Sequence, residues 1–133
     1  MSTPHVTVPV LSITVPATAE WVAEIRDRVR RFAAEHGARG LELAAIGLAV
    51  SEAAANAVRH AYPDGPGEIR VMADVEDEAL EIVVIDDGWG FRAGAGSGLG
   101  LGLALMRRDA AAFEIRDRPA GGVEVWLRFA LAR

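Results

Sequence analysis

Apolar and polar residues alternate from Val10 to Val15, with Val8, Val10, Ile13 and Val15 as expected buried positions. The pattern predicts a strand that stops at Pro16. Thr18 is placed to cap a helix running to about His36 and ending at Gly37. Within it Val22, Ile25, Val29, Phe32 and Ala33 recur at the spacing of one buried helical face. A second helix is expected from about Leu41 to Ala61. It is apolar on nearly every side, as in a helix covered over most of its circumference. Pro63 to Gly67 forms a turn signal. Glu68 to Val75 then alternates, with Ile69, Val71, Ala73 and Val75 on one face. After the acidic turn Glu76-Asp77-Glu78, the run Leu80 to Ile85 is almost continuously apolar, the mark of a central strand. Residues 88–102 hold seven glycines, and a helix is expected from about Leu101 to Ala112. Phe113 to Asp117 and Val123 to Ala130 close the chain as a hairpin around Pro119 to Gly122.

The order strand, helix, helix, strand, strand, loop, helix, strand, strand predicts an α/β (α+β) two-layer sandwich. Its sheet is expected to be mixed but mostly antiparallel, with helices on one face. No repeat, linker or second domain is apparent, so residues 1–133 are read as one domain with a probable flexible arm at 1–9.

Composition narrows the chemistry. The 133 residues carry a net charge of −5, which disfavours a phosphate backbone as partner. There is no cysteine, so disulfides and thiolate metal sites are excluded. All fourteen basic residues are arginine. A P-loop and a eukaryotic-type kinase site each require a lysine, so neither can be built here. No uninterrupted apolar run approaches eighteen residues, and the N-terminus lacks the features of a signal peptide. A cytoplasmic protein that neither spans a membrane nor binds nucleic acid is expected.

Three stretches carry candidate chemistry. In Ser51-Glu52-Ala53-Ala54-Ala55-Asn56, Glu52 and Asn56 are four apart and share one helical face. A carboxylate and an amide oxygen there can serve a magnesium ion, or the carboxylate can act as a general base. A solvated polar stripe would look the same. His60, one turn further on, suits a helix-end cap. Asp86-Asp87-Gly88-Trp89-Gly90 follows the apolar strand. Asp86 is placed to accept a hydrogen bond from an adenine amine while the glycines clear room for the ring, although Asp-Gly also makes tight hairpins. The third stretch runs from Gly94 through Gly98, Leu99, Gly100 and Gly102 into a helix. Such freed amides at a helix N-terminus bind phosphate, and a flexible linker is the alternative. Gly88 to Ala93 also fits a loose dinucleotide fingerprint, but further glycines follow where a helix should open.

Taken in this order, the three stretches resemble the GHKL ATPase superfamily. They are most similar to its small bacterial branch, the anti-sigma factor serine kinases, over about Val10 to Phe129. Ser51 to Tyr62 resembles the N box, Asp86 to Gly90 the first glycine box and Gly98 to Met106 the second. The resemblance implies a Bergerat-type site for ATP and Mg2+. Glu52 would be the catalytic base, Asn56 the metal ligand and Asp86 the adenine reader, with Gly88, Gly90, Gly98, Gly100 and Gly102 shaping the pocket. It also implies a sigma factor and a STAS-domain antagonist as partners, serine phosphorylation of that antagonist, and a homodimer. Three departures stand out: a short lid from Arg92 to Leu99, Leu99 where an arginine is frequent, and Val123 where a threonine is favoured. They open a second expectation, a catalytically weak or inactive ATP-sensing module that sequesters a sigma factor or another regulator. The ATPase part of a histidine kinase ranks behind both, since no long dimerisation helix with a phosphoacceptor histidine is read here.

Overall fold

The computed structural model describes residues 10–60, 67–86, 112–118 and 121–131. In chain order these form β1 (Leu11–Pro16), α1 (Ala19–Glu35), α2 (Gly40–His60), β2 (Glu68–Glu76), β3 (Ala79–Asp86), β4 (Ala112–Asp117) and β5 (Val123–Ala130). The strands make one five-stranded sheet in the order β1-β2-β3-β5-β4. Every pairing among the described strands is antiparallel, so the sandwich is as expected and its described sheet contains no parallel pair. The third helix, expected from Leu101, lies outside the described residues, and Ala112 already opens β4.

Strand register sorts the side chains into two faces. Ile13, Val71, Val84, Val125 and Ile115 follow one another across the sheet on the side that bears the helices. They join Ile25, Val29, Phe32 and Ala33 of α1 and Ile46, Ala49, Val50, Ala53, Ala54 and Ala57 of α2 in one core. Fully burying one Val, Leu or Ile side chain is worth about 1.5–3 kcal/mol, so this layer dominates the stability. The opposite face carries a smaller cluster of Val83, Ile85 and Trp126 against Met72. Two-sided burial explains why β3 reads as a continuous apolar run rather than an alternating one.

Three local expectations need correction. Val10 is 68% exposed, whereas Ile13 and Val15 are buried. A strand repeats every two residues, so Val10 cannot share a face with Ile13 and Val15; Val8 lies outside the described residues. Thr18 sits at the N-cap of α1, but its side chain makes no capping bond; its hydroxyl donates to Glu20 Oε1 at 3.5 Å instead. Finally, α2 is buried along one stripe only, with Leu41 90% and Leu48 37% exposed. Alanine counts as apolar in a pattern, yet it also suits exposed helix positions through its helix propensity, which makes such a helix look wrapped on all sides. By length and composition Gly40–Arg59 is long and apolar enough to cross a membrane, which a search for uninterrupted apolar runs did not register. Here that helix packs against α1 and the sheet, through Ile46, Ala49, Val50 and Ala53.

Chain reversals are made by backbone geometry. Gly37, at φ 105°, ends α1 while its amide and that of Ala38 bond the Ala34 and Ala33 carbonyls, which is a Schellman closure. Between β2 and β3 a two-residue turn puts Asp77 at φ 54° and Glu78 at φ 61°. That left-handed pair matches the strand twist although neither residue is glycine.

Candidate functional site

Topology brings the two described parts of the predicted site to one end of the sheet. β1 finishes at Pro16 opposite Glu68, and Ile69 pairs with Asp86, so the end of β1, the start of β2 and the end of β3 lie together. α1 begins at this end, three residues after Pro16, with the Ala17 amide donating to the Gly67 carbonyl at 2.8 Å. The tight turn through Gly37 sends α2 back alongside α1. Close approach of the helices is permitted at Gly47, where a Cβ would meet Arg30 Cδ at 2.7 Å. The second half of α2, with Glu52 and Asn56, therefore returns toward the end of the sheet that holds Asp86.

At that end Asp86 is only 6% exposed, the one buried charged residue among the described ones. Its register with Ile69 puts it on the face that bears the helices. A buried carboxylate needs hydrogen bonds to offset its desolvation. The Val123 amide supplies one, donating to Asp86 Oδ1 at 3.3 Å. Arg118 Nη1 reaches the Asp86 main-chain carbonyl at 3.4 Å. Arg118 also shapes the hairpin that presents Val123: its amide donates to Gly122 O at 2.9 Å, and its carbonyl accepts from Gly121 at 2.9 Å. Neither partner was legible beforehand. The contacts join positions 32 and 37 residues apart, and the Val123 bond uses backbone that every residue type possesses.

On α2, Glu52 and Asn56 flank the buried Ala53 and Ala57 and are both partly exposed. Among the described residues Glu52 makes no hydrogen bond or ion pair. Asn56 Oδ1 accepts a hydrogen bond from Arg59 Nη2 at 2.5 Å. Spacing alone marks Arg59 as a neighbour of Asn56, three residues along one helix face, although attention to carboxylates and amides passed over it. Ser51 Oγ is buried with no hydrogen-bond partner among the described residues. The side chain of His60 and residues Asp87, Gly88, Gly90, Gly98, Gly100 and Gly102 lie outside the described residues, as do Leu99 and the expected lid.

The donor set suits a small hard cation that brings most of its own ligands. Magnesium is held by one or two protein oxygens plus water and phosphate, and this face offers the Asn56 amide oxygen one turn from the Glu52 carboxylate. No cluster of three or more His, Asp or Glu side chains occurs among the described residues. Asn56 Oδ1 accepts from the Arg59 guanidinium, so the amide oxygen already faces a cationic group.

Comparison with known proteins places the fold in a family. The chain is 36% identical over 81 residues to the serine-protein kinase RsbW of Bacillus mycoides (strain KBAB4), covering 61% of this chain and 51% of that protein. RsbW of Bacillus cereus (strain AH187) matches to the same extent, so the chain spans about half the length of these curated relatives. The crystal structure of the RsbU and RsbW domains of Rv1364c from Mycobacterium tuberculosis superposes with a TM-score of 0.74 at 30% identity. That match covers 96% of this chain and 33% of the other. The model of the histidine kinase-like ATPase domain matches residues 15–129, nearly the full length of the sandwich, and the chain belongs to that family.

Proposed function

We propose that this chain is an ATP-binding anti-sigma regulator that phosphorylates a serine of a STAS-type antagonist protein. The observation that carries the proposal is the buried Asp86, braced by Val123 and facing the side of the sheet to which α2 returns Glu52 and Asn56. The Asp86 carboxylate, oriented by the Val123 amide at Oδ1, is suited to accept from the exocyclic amine of adenine. Glu52, free of ion pairs among the described residues, takes the proton of the substrate serine as its oxygen attacks the γ-phosphorus and ADP departs. Asn56 offers its oxygen to magnesium, which when bound neutralises charge on the β- and γ-phosphates. The glycines Gly88, Gly90, Gly98, Gly100 and Gly102 complete the pocket in this reading, as the family resemblance implies. Similarity to RsbW serine-protein kinases supports the kinase assignment, and from it we extend the reading to a sigma factor partner, a homodimer and a cytoplasmic setting.

The deciding experiment is transfer of labelled phosphate from ATP to a cognate STAS-type antagonist. Transfer that depends on Glu52 is expected; ATP binding without any transfer removes the kinase and leaves a nucleotide-sensing module that sequesters its partner. Val123 favours that second reading in one respect, since its side chain has no hydroxyl with which to support adenine.

A further inference from the structure

Asn56 is the residue best placed to hold a metal, yet its oxygen is occupied by a cation of this chain's own. Arg59 Nη2 donates to Asn56 Oδ1 in a charge-assisted hydrogen bond. The guanidinium has five donors and no acceptor, so it cannot share in coordinating a metal. Glu52, the nearby carboxylate on the same face, is not the group Arg59 engages. It lies seven residues, or about two helical turns and 10 Å, away. The helix spacing therefore assigns the arginine to the neutral amide and leaves the Glu52 carboxylate without a partner among the described residues.

We propose that Arg59 is a resident counter-cation for Asn56, standing in the metal's place and yielding Oδ1 when magnesium arrives with nucleotide. This rests on the nucleotide-binding reading above. Two consequences follow from elementary electrostatics. While it holds Oδ1, Arg59 fixes the flip of the Asn56 amide, keeping oxygen rather than nitrogen turned toward the metal position. It also sets a threshold. A bond to an exposed guanidinium must be given up before the metal can enter, and a single and a double positive charge a few ångströms apart repel by up to roughly thirtyfold in affinity even in water-like surroundings. Metal-free nucleotide and metal-nucleotide thus meet different arrangements of the same helix face, with Arg59 held on Asn56 in one and released in the other.

The test measures the magnesium concentration that half-saturates binding of a non-hydrolysable ATP analogue, by calorimetry, in the wild type and in Arg59→Met. Arg59 is exposed on a helix, and methionine keeps its stem and helix propensity, so the fold is retained. The variant is expected to need up to about thirtyfold less magnesium. In parallel, 15N NMR follows the Arg59 Nε–H and the Val123 amide. Addition of magnesium to the nucleotide-loaded wild type is expected to shift the Arg59 signal, and nucleotide itself to shift Val123. An unchanged or higher magnesium requirement in Arg59→Met, or an Arg59 signal indifferent to magnesium, overturns the proposal while Val123 still reports bound nucleotide. Silence at Val123 and no binding heat overturn the nucleotide reading itself, and the Arg59 proposal with it.

Discussion

Asp86 and Val123 are joined across 37 positions of sequence by a single bond, from the Val123 amide to Asp86 Oδ1 at 3.3 Å. The carboxylate is thereby oriented from the sheet side, by a strand neighbour whose side chain plays no part. A consequence is that replacing the side chain at position 123 leaves this bond in place, whereas changing Asp86 removes the acceptor proposed for adenine.

Asp86→Asn keeps the shape and can still accept from Val123 through its amide oxygen, but it turns an NH2 group toward the adenine amine. Calorimetry with an ATP analogue is expected to show a loss of affinity of about 5- to 150-fold, since a mismatched buried polar pair costs about 1–3 kcal/mol. By the same logic the wild type prefers ATP to GTP, whose ring presents an acceptor where adenine presents a donor. Equal affinity for the two nucleotides would remove Asp86 from the role of base reader.

Glu52→Gln separates chemistry from binding. Glutamine preserves size and polarity but cannot take the proton of a serine hydroxyl. Phosphate transfer to an antagonist protein is expected to fall by about 10²–10⁴-fold. Nucleotide affinity should stay within about threefold, because the base contributes in the transition state rather than to binding. If transfer persists unchanged, the base lies elsewhere.

At the β2–β3 turn, Glu78 holds φ 61° with no special local reason to tolerate it, while its carbonyl accepts from the Leu131 amide at 2.8 Å. Glycine satisfies the same backbone bond without the clash of Cβ. Glu78→Gly is expected to stabilise the fold by about 1 kcal/mol in urea unfolding, since the left-handed conformation costs a side chain-bearing residue roughly that much. Gly37→Ala works in the opposite sense. At φ 105° it closes α1, and a Cβ there is expected to cost about 1 kcal/mol.

Gly47 supplies a double-mutant test of how α1 lies on α2. Alanine gains about 1 kcal/mol of helix propensity over glycine, but its Cβ would approach Arg30 Cδ to 2.7 Å and Arg26 Cγ to 3.4 Å. Gly47→Ala alone is expected to be near neutral in chemical denaturation, because the flexible Arg30 stem must move aside. In an Arg30→Ala background the same change should stabilise by about 1 kcal/mol. Purely additive effects would mean that Arg30 does not limit the approach of the helices.

The chain's hydrophobic periods by themselves determined the strands, the two described helices and the two-layer sandwich. Burial is repetitive, and repetition leaves a mark every two or 3.6 residues: Ile69, Val71 and Ala73 announced β2, and Ile25, Val29 and Phe32 announced α1. The phase of β1 was less legible, because Val8 and Val10 fall on one parity and Ile13 and Val15 on the other. Only pairing with β2 decides that Ile13 and Val15, and not Val10, enter the core. Glu52, Asn56 and Asp86 were conspicuous as polar residues beside apolar runs, which made them candidates one at a time. Their common end of the sheet came from tertiary structure, through the turn at Gly37 and the register of β2 with β3. Arg118 and the Val123 amide left no trace in sequence, since a contact between distant segments has no period. A backbone donor, besides, is present at every residue except proline, so no residue type marks where it is used.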